Sequence, residues 1–140
     1  MNPTDLSMLA VVEFAVVHLK VKHVVVCGHT SCGGVAATLG NGTLGVLDTW
    51  LQPMIALREQ HADELEKLEG AEKDVFMSKL NIAAGVNVIR RIPSVIKAVE
   101  ERGMTVHGTL YHLNTGLLEE VHVDETDSAA KKRVTAFERK

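Results

Sequence analysis

Val24-Val25-Val26-Cys27-Gly28-His29-Thr30-Ser31-Cys32-Gly33-Gly34-Val35 is the stretch on which the fold turns. Val21 to Cys27 is predicted as a strand, and the continuous β-branched run Val24-Val25-Val26 within it predicts cover on both faces, as in a parallel sheet. Gly28 closes the strand, Gly28 to Gly34 reads as a turn, and Val35 to Leu39 begins a short helix. His29 and Cys32 therefore stand where a buried strand gives way to a turn and a helix. Side chains at that place project from the carboxyl end of a sheet, which is where α/β proteins put their ligands. Imidazole and thiolate suit Zn²⁺, and two donors three residues apart on a tight turn can converge on one ion. A buried His and Cys packed in the core would have the same spacing. Gly33 and Gly34 could accept an anion on free amides at the helix start, and a tight turn needing small residues explains them equally well.

Working outward, Leu6, Leu9, Ala10, Phe14 and Val17 fall at helical spacing up to Leu19, after a start at Pro3 with Thr4 or Asp5. That helix is apolar nearly all round and is expected to be buried on more than one side. Downstream, Leu51, Met54, Ile55, Ala62 and Leu65 predict an amphipathic helix from Asp48 to Leu68, with Asp48 as its cap and Pro53 confined to its first turn. The charged stretch Glu59 to Glu69 reads as a solvated face. A further helix spans about Ala71 to Arg91 with Val75, Ile82, Val86 and Ile89 facing the core, and Pro93 stops it. Ser94 to Arg102 forms a short helix ending at Gly103. Thr105 to Leu113 and Leu117 to Val123 read as strands around the turn Asn114-Thr115-Gly116. The polar tail from Asp124 to Lys140 is expected to end in a peripheral helix. This order predicts one three-layer α/β domain over residues 1–140, with a sheet of about three strands.

The chain has 140 residues, 46% of them hydrophobic, and a formal charge of -3. That is an ordinary globular composition, not basic enough to suggest a nucleic-acid partner. The apolar stretch Met8 to Val17 is interrupted by Glu13 and too short to span a bilayer, so no membrane partner is expected. Nothing at Met1-Asn2-Pro3-Thr4-Asp5 marks the chain for secretion, and the expected location is cytoplasmic. Cys27 and Cys32, close together beside His29, suit metal or redox chemistry better than a structural disulfide.

The quoted run is similar to the zinc-binding signature of the β-class carbonic anhydrases. Thr4-Asp5-Leu6-Ser7, Val12-Glu13-Phe14-Ala15-Val16, Asn81 to Pro93, Val106-His107-Gly108-Thr109-Leu110-Tyr111 and Thr115-Gly116-Leu117-Leu118 extend the resemblance over most of the chain. It implies a β-carbonic-anhydrase-like α/β domain with a short, mostly parallel sheet and flanking helices. It also implies zinc, one per chain, held in part by His29 and Cys32, with reversible hydration of carbon dioxide to bicarbonate. In that family a Cys-x-Asp-x-Arg strand supplies a further thiolate and an Asp-Arg pair, and these 140 residues contain no such segment. The domain is therefore expected to be incomplete at its N-terminus, with no catalytic residue assigned and low turnover by this chain alone. A non-catalytic member or oligomer subunit with a degenerate metal site is the alternative. Cys27, two residues before His29 on an extended backbone, could point the same way and replace the thiolate, although closing a run of valines reads first as core packing.

His18, His23, His61 and His122 read as surface or half-buried residues, and His107 and His112 as packing groups on the strand beside Val24 to Cys27. In the resembled family the absent strand lies next to Val21 to Cys27, so that strand becomes an edge here. A homo-oligomer is expected to cover it, through strand pairing or through the helix Leu6 to Leu19.

Overall fold

A computed structural model describes residues 5–124. The proposed start at Pro3 or Thr4 and the tail helix beyond Asp124 lie outside the described residues. Helix α1 runs Leu6–Glu13, with the Asp5 carboxylate accepting from the amides of Ser7 (2.9 Å) and Met8 (3.3 Å), and continues as a π-helical turn over Phe14–His18. Arg102 donates to the carbonyls of Val16 and Val21, satisfying backbone groups that the end of that turn would leave bare.

Strand β1 spans His23–His29, two residues further than expected at its C-terminal end, because Gly28 and His29 pair with Leu110 and Tyr111. Then follow α2 (Gly33–Leu39), α3 (Val46–Gln60), α4 (Ala62–Leu65), α5 (Gly70–Arg90), α6 (Pro93–Arg102), β2 (Thr105–His112) and β3 (Leu117–Val121). The sheet order is β1-β2-β3, with β1 parallel to β2 from His23↔Thr105 to His29↔Tyr111 and β2 antiparallel to β3. β1 thus lies at the edge of the described sheet, as the sequence led us to expect.

Helix α5 lies against all three strands. Ile82 sits so close to the sheet that a Cβ on Gly28 or Gly108 would come within 2.8 Å of it, so these strand glycines are what admit the helix. Val86 and Ile89 continue the contact into a core with Val12, Val16, Val95, Met104 and Val106. A second cluster joins Val35, Leu51, Met54, Leu65 and Met77.

Three expectations are corrected. The valine run is covered on one face only: Val24 and Val26 are half-buried against the α5 core, whereas Val25 is 55% exposed and His23, Cys27 and His29 share its open side. Helix α1 buries Val12 and its π turn buries Val16, whereas Leu6 and Val11 on the helix, Phe14 on the turn and Leu19 after it are exposed. The helix expected from Asp48 to Leu68 breaks at His61, a bend that accompanies the burial of Leu65 in the second cluster, and Pro53 lies inside α3. Pro53 and Thr49 are both exposed, so the helical hydrogen bond that the proline removes lies on the solvent side of α3.

Candidate metal centre

The end of β1 is pinned by three separate elements. Thr30 is buried, its amide donates to the Tyr111 carbonyl (3.0 Å), and its hydroxyl accepts from the Leu113 amide (3.1 Å), which ties the turn to the C-terminal end of β2. Ser31 adopts a left-handed backbone (φ 55°), and its amide donates to the Asp74 carboxylate on α5 at 2.9 Å. Cys32 is extended, and its carbonyl accepts from Ala36 (2.9 Å) as α2 begins.

Within this frame, His29 Nδ1 lies 2.9 Å from the Thr30 carbonyl. A carbonyl oxygen only accepts, so Nδ1 carries the proton in that bond and Nε2 of the neutral ring keeps its lone pair. An imidazole fixed in this way is prepared to ligate a metal, since a backbone carbonyl is a common partner for the far nitrogen of a ligating His. The Cys32 thiol is half-buried and packs beside the α2–α3 cluster. Gly33 and Gly34 occupy the first two positions of α2, and a Cβ at Gly33 would meet nothing within 4 Å, so tight space does not explain that glycine.

Cys27 is not core. It is exposed on the same side of β1 as His29, with its thiol 3.4 Å from the Gly28 carbonyl, because the strand alternates and only the Val24–Val26 side meets α5. Two residues of extended strand put its Cα roughly 6.5 Å from that of His29. Among the described residues no group of three or more His, Cys, Asp and Glu side chains gathers closely enough to hold a metal. His29 and Cys32 fit zinc in kind, as an oriented imidazole and a thiol on one pinned turn, and would offer two donors of the three or four that a zinc site takes.

The remaining histidines have other work. His23 Nδ1 and His107 Nε2 both bond the Thr105 hydroxyl, at 2.8 and 2.7 Å, near the start of β1 and away from the turn. His112 Nε2 lies 2.9 Å from Glu119, which Lys79 also holds. The Lys79 ammonium and then His112 keep the Glu119 carboxyl below its ordinary pKa. Asp48 lies within the first turn of α3, where its carboxylate reaches back to the Leu44 amide. Sequence reading missed Asp74 and the Lys79–Glu119 pair, which depend on contacts across 43 and 40 residues, and with them the His112–Glu119 pair across the β2–β3 turn. The one local signal for Asp74 was a carboxylate next to Val75 at the edge of the predicted core face.

Residues 1–118 match the sequence profile of the family described as carbonic anhydrase. A carbonic anhydrase of Emericella nidulans is 38% identical over 122 residues, covering 86% of this chain and 54% of the relative. One of Candida albicans is 36% identical, over 90% of this chain and 46% of its own length, so the chain spans about half of these curated relatives. Among solved structures, the β-carbonic anhydrase CafA of Aspergillus fumigatus superposes with a TM-score of 0.96 at 48% identity, covering 100% of this chain and 67% of that one. One of two tetrameric β-carbonic anhydrases from Sordaria macrospora gives a TM-score of 0.85 at 41% identity, covering 90% of this chain and 65% of that one.

Proposed function

The chain belongs to the β-class carbonic anhydrase family, and from that membership we propose that its strand-turn-helix supplies part of a zinc centre for the reversible hydration of carbon dioxide to bicarbonate. The observation that carries the reading is the His29–Thr30 hydrogen bond, which leaves Nε2 free to ligate three residues before the Cys32 thiol. Bound there, zinc would supply a Lewis acid able to bring water to hydroxide-like reactivity near neutral pH. The chain's own residues set the direction of the two donors: Thr30 anchors the turn to β2, and its carbonyl holds the imidazole tautomer. Cys27, exposed on the His29 side of β1, is the candidate third donor within the described residues.

Since the described residues gather no three donors, a second reading is also supported: a family member or oligomer subunit whose own metal site is degenerate. Zinc per purified chain, measured by elemental mass spectrometry, separates the two. The zinc reading expects about one zinc per chain, lost in His29→Ala and Cys32→Ser, with Cys27→Ser testing the third donor. Unchanged zinc in the first two variants would sink the assignment, and a zinc-free wild type would leave the degenerate reading. Stopped-flow hydration by this chain alone is expected to be slow, and rapid chelator-sensitive turnover would contradict that.

We propose in addition that the chain assembles with copies of itself. The exposed stripe Leu6, Val11, Phe14 and Leu19 and the open edge of β1 are features that isolated chains rarely leave bare.

A further inference from the structure

Ser31 stands between the two candidate ligands, and it is one of two described non-glycine residues, with Lys20, that have a positive φ. Side chains with a Cβ visit the left-handed region at a cost and persist there where surroundings over-determine them. A glycine would adopt φ 55° freely, so the serine needs something that holds it. The one contact that reaches its amide from another element is the Asp74 carboxylate, from the first turns of α5, at 2.9 Å.

The direction of Cys32 relative to His29 is set by the backbone of the two residues between them. Thr30 is fixed by β2, through the Tyr111 carbonyl and the Leu113 amide. Ser31 is fixed by Asp74. Helix α5 is itself seated on the sheet through Ile82 over Gly28 and Gly108, so Asp74 carries the position of a rigid element to the turn. We propose that Asp74 is a positioning residue of the metal turn: by accepting the Ser31 amide it holds the left-handed backbone that aims His29 and Cys32 at one point. The inference rests on the zinc reading above for its consequence, and on the hydrogen bond for its substance.

The test uses the whole chain and three variants. Asp74→Asn keeps an oxygen that can accept the same amide and loses the charge. Asp74→Ala loses both. Ser31→Gly in the Asp74→Ala background removes the need to hold the backbone. In metal-free protein, hydrogen exchange at the Ser31 amide should be slow in wild type and Asp74→Asn, and at least about tenfold faster in Asp74→Ala, with unchanged exchange along β2 showing that the fold is intact. Zinc affinity by chelator competition should fall about 10- to 100-fold in Asp74→Ala, recover most of the way in Asp74→Asn, and recover in part with Ser31→Gly.

Equal losses in the Asn and Ala variants, with no recovery from Ser31→Gly, would mean that Asp74 acts through its charge and would overturn the positioning role. So would a Ser31 amide that exchanges as fast in wild type as in Asp74→Ala. If the wild type takes up no zinc, the functional reading above fails, and the exchange measurement still decides whether Asp74 holds the turn.

Discussion

Glu119 lies between Lys79 on α5 and His112 at the end of β2, and both partners favour its ionised form. A carboxyl whose folded pKa is depressed adds stability that is present above its unfolded value, about 4.3, and lost as pH falls through the lower folded value. Glu119→Gln should therefore leave stability above about pH 5 lower by under about 1 kcal/mol, since the side chain is 41% exposed. Denaturant melts from pH 6 to pH 3 should show a shallower acid limb in the variant. An unchanged limb would mean that the pairs contribute nothing in solution. No sequence rule pointed to this trio, because Lys79 is 40 residues from Glu119 in the chain and meets it only after α5 has docked on β3.

Among the elements, the seat of α5 is the most restrictive. At Gly108 a Cβ would press on Ile82 at 2.8 Å, on the Val121 carbonyl at 3.2 Å and on Val86 at 3.3 Å; at Gly28 it would meet Ile82 alone. The Ile82 side chain can shift, whereas a paired strand carbonyl cannot move without breaking the ladder. Gly108→Ala should cost about 1–3 kcal/mol, and Gly28→Ala less, in urea unfolding. A larger loss at Gly28 would show that the sheet yields more easily than the helix. Pro53 offers a change of opposite sign. It sits inside α3 on an exposed face, so Pro53→Ala restores a helical hydrogen bond and should raise stability by about 1–2 kcal/mol, after allowing for the entropy that proline removes from the unfolded chain. A lower Tm in that variant would indicate that the proline shapes the entry to α3.

For the molecule as a whole, apolar surface is left open in three places: on α1 and its π turn, where Leu6 is 79%, Val11 69% and Phe14 57% exposed, at the start of α3 around Val46 and Trp50, and on β3 at Leu117 and Leu118. The α1 stripe lies on the helix that the sequence singled out for an interface. Burying such a stripe against a second copy is worth roughly 25 cal/mol per Å². Light scattering at micromolar concentration should give a dimer or larger species, and Val11→Glu with Phe14→Glu should shift it toward monomer while far-ultraviolet circular dichroism is retained. A wild type that stays monomeric at that concentration, with fast amide exchange along β1, would show that the open edge and stripe are tolerated. No described helix is long and apolar enough to cross a membrane.

The valine run, the glycine-rich turn and the His29–Cys32 spacing were legible in the sequence because each is a local pattern: strand propensity, turn chemistry and donor type act within a few residues. The same locality explains why helix and strand positions along α5, α6, β2 and β3 were close to those found. Which face of β1 is covered, and with it the exposure of Cys27, was decided only when α5 settled on one side of the sheet, since an apolar run looks alike whether one face or both are buried. The break at His61 and the clamp of Asp74 on Ser31 were likewise settled by tertiary contacts, where burying Leu65 and bonding one amide outweigh the preferences of the segments themselves.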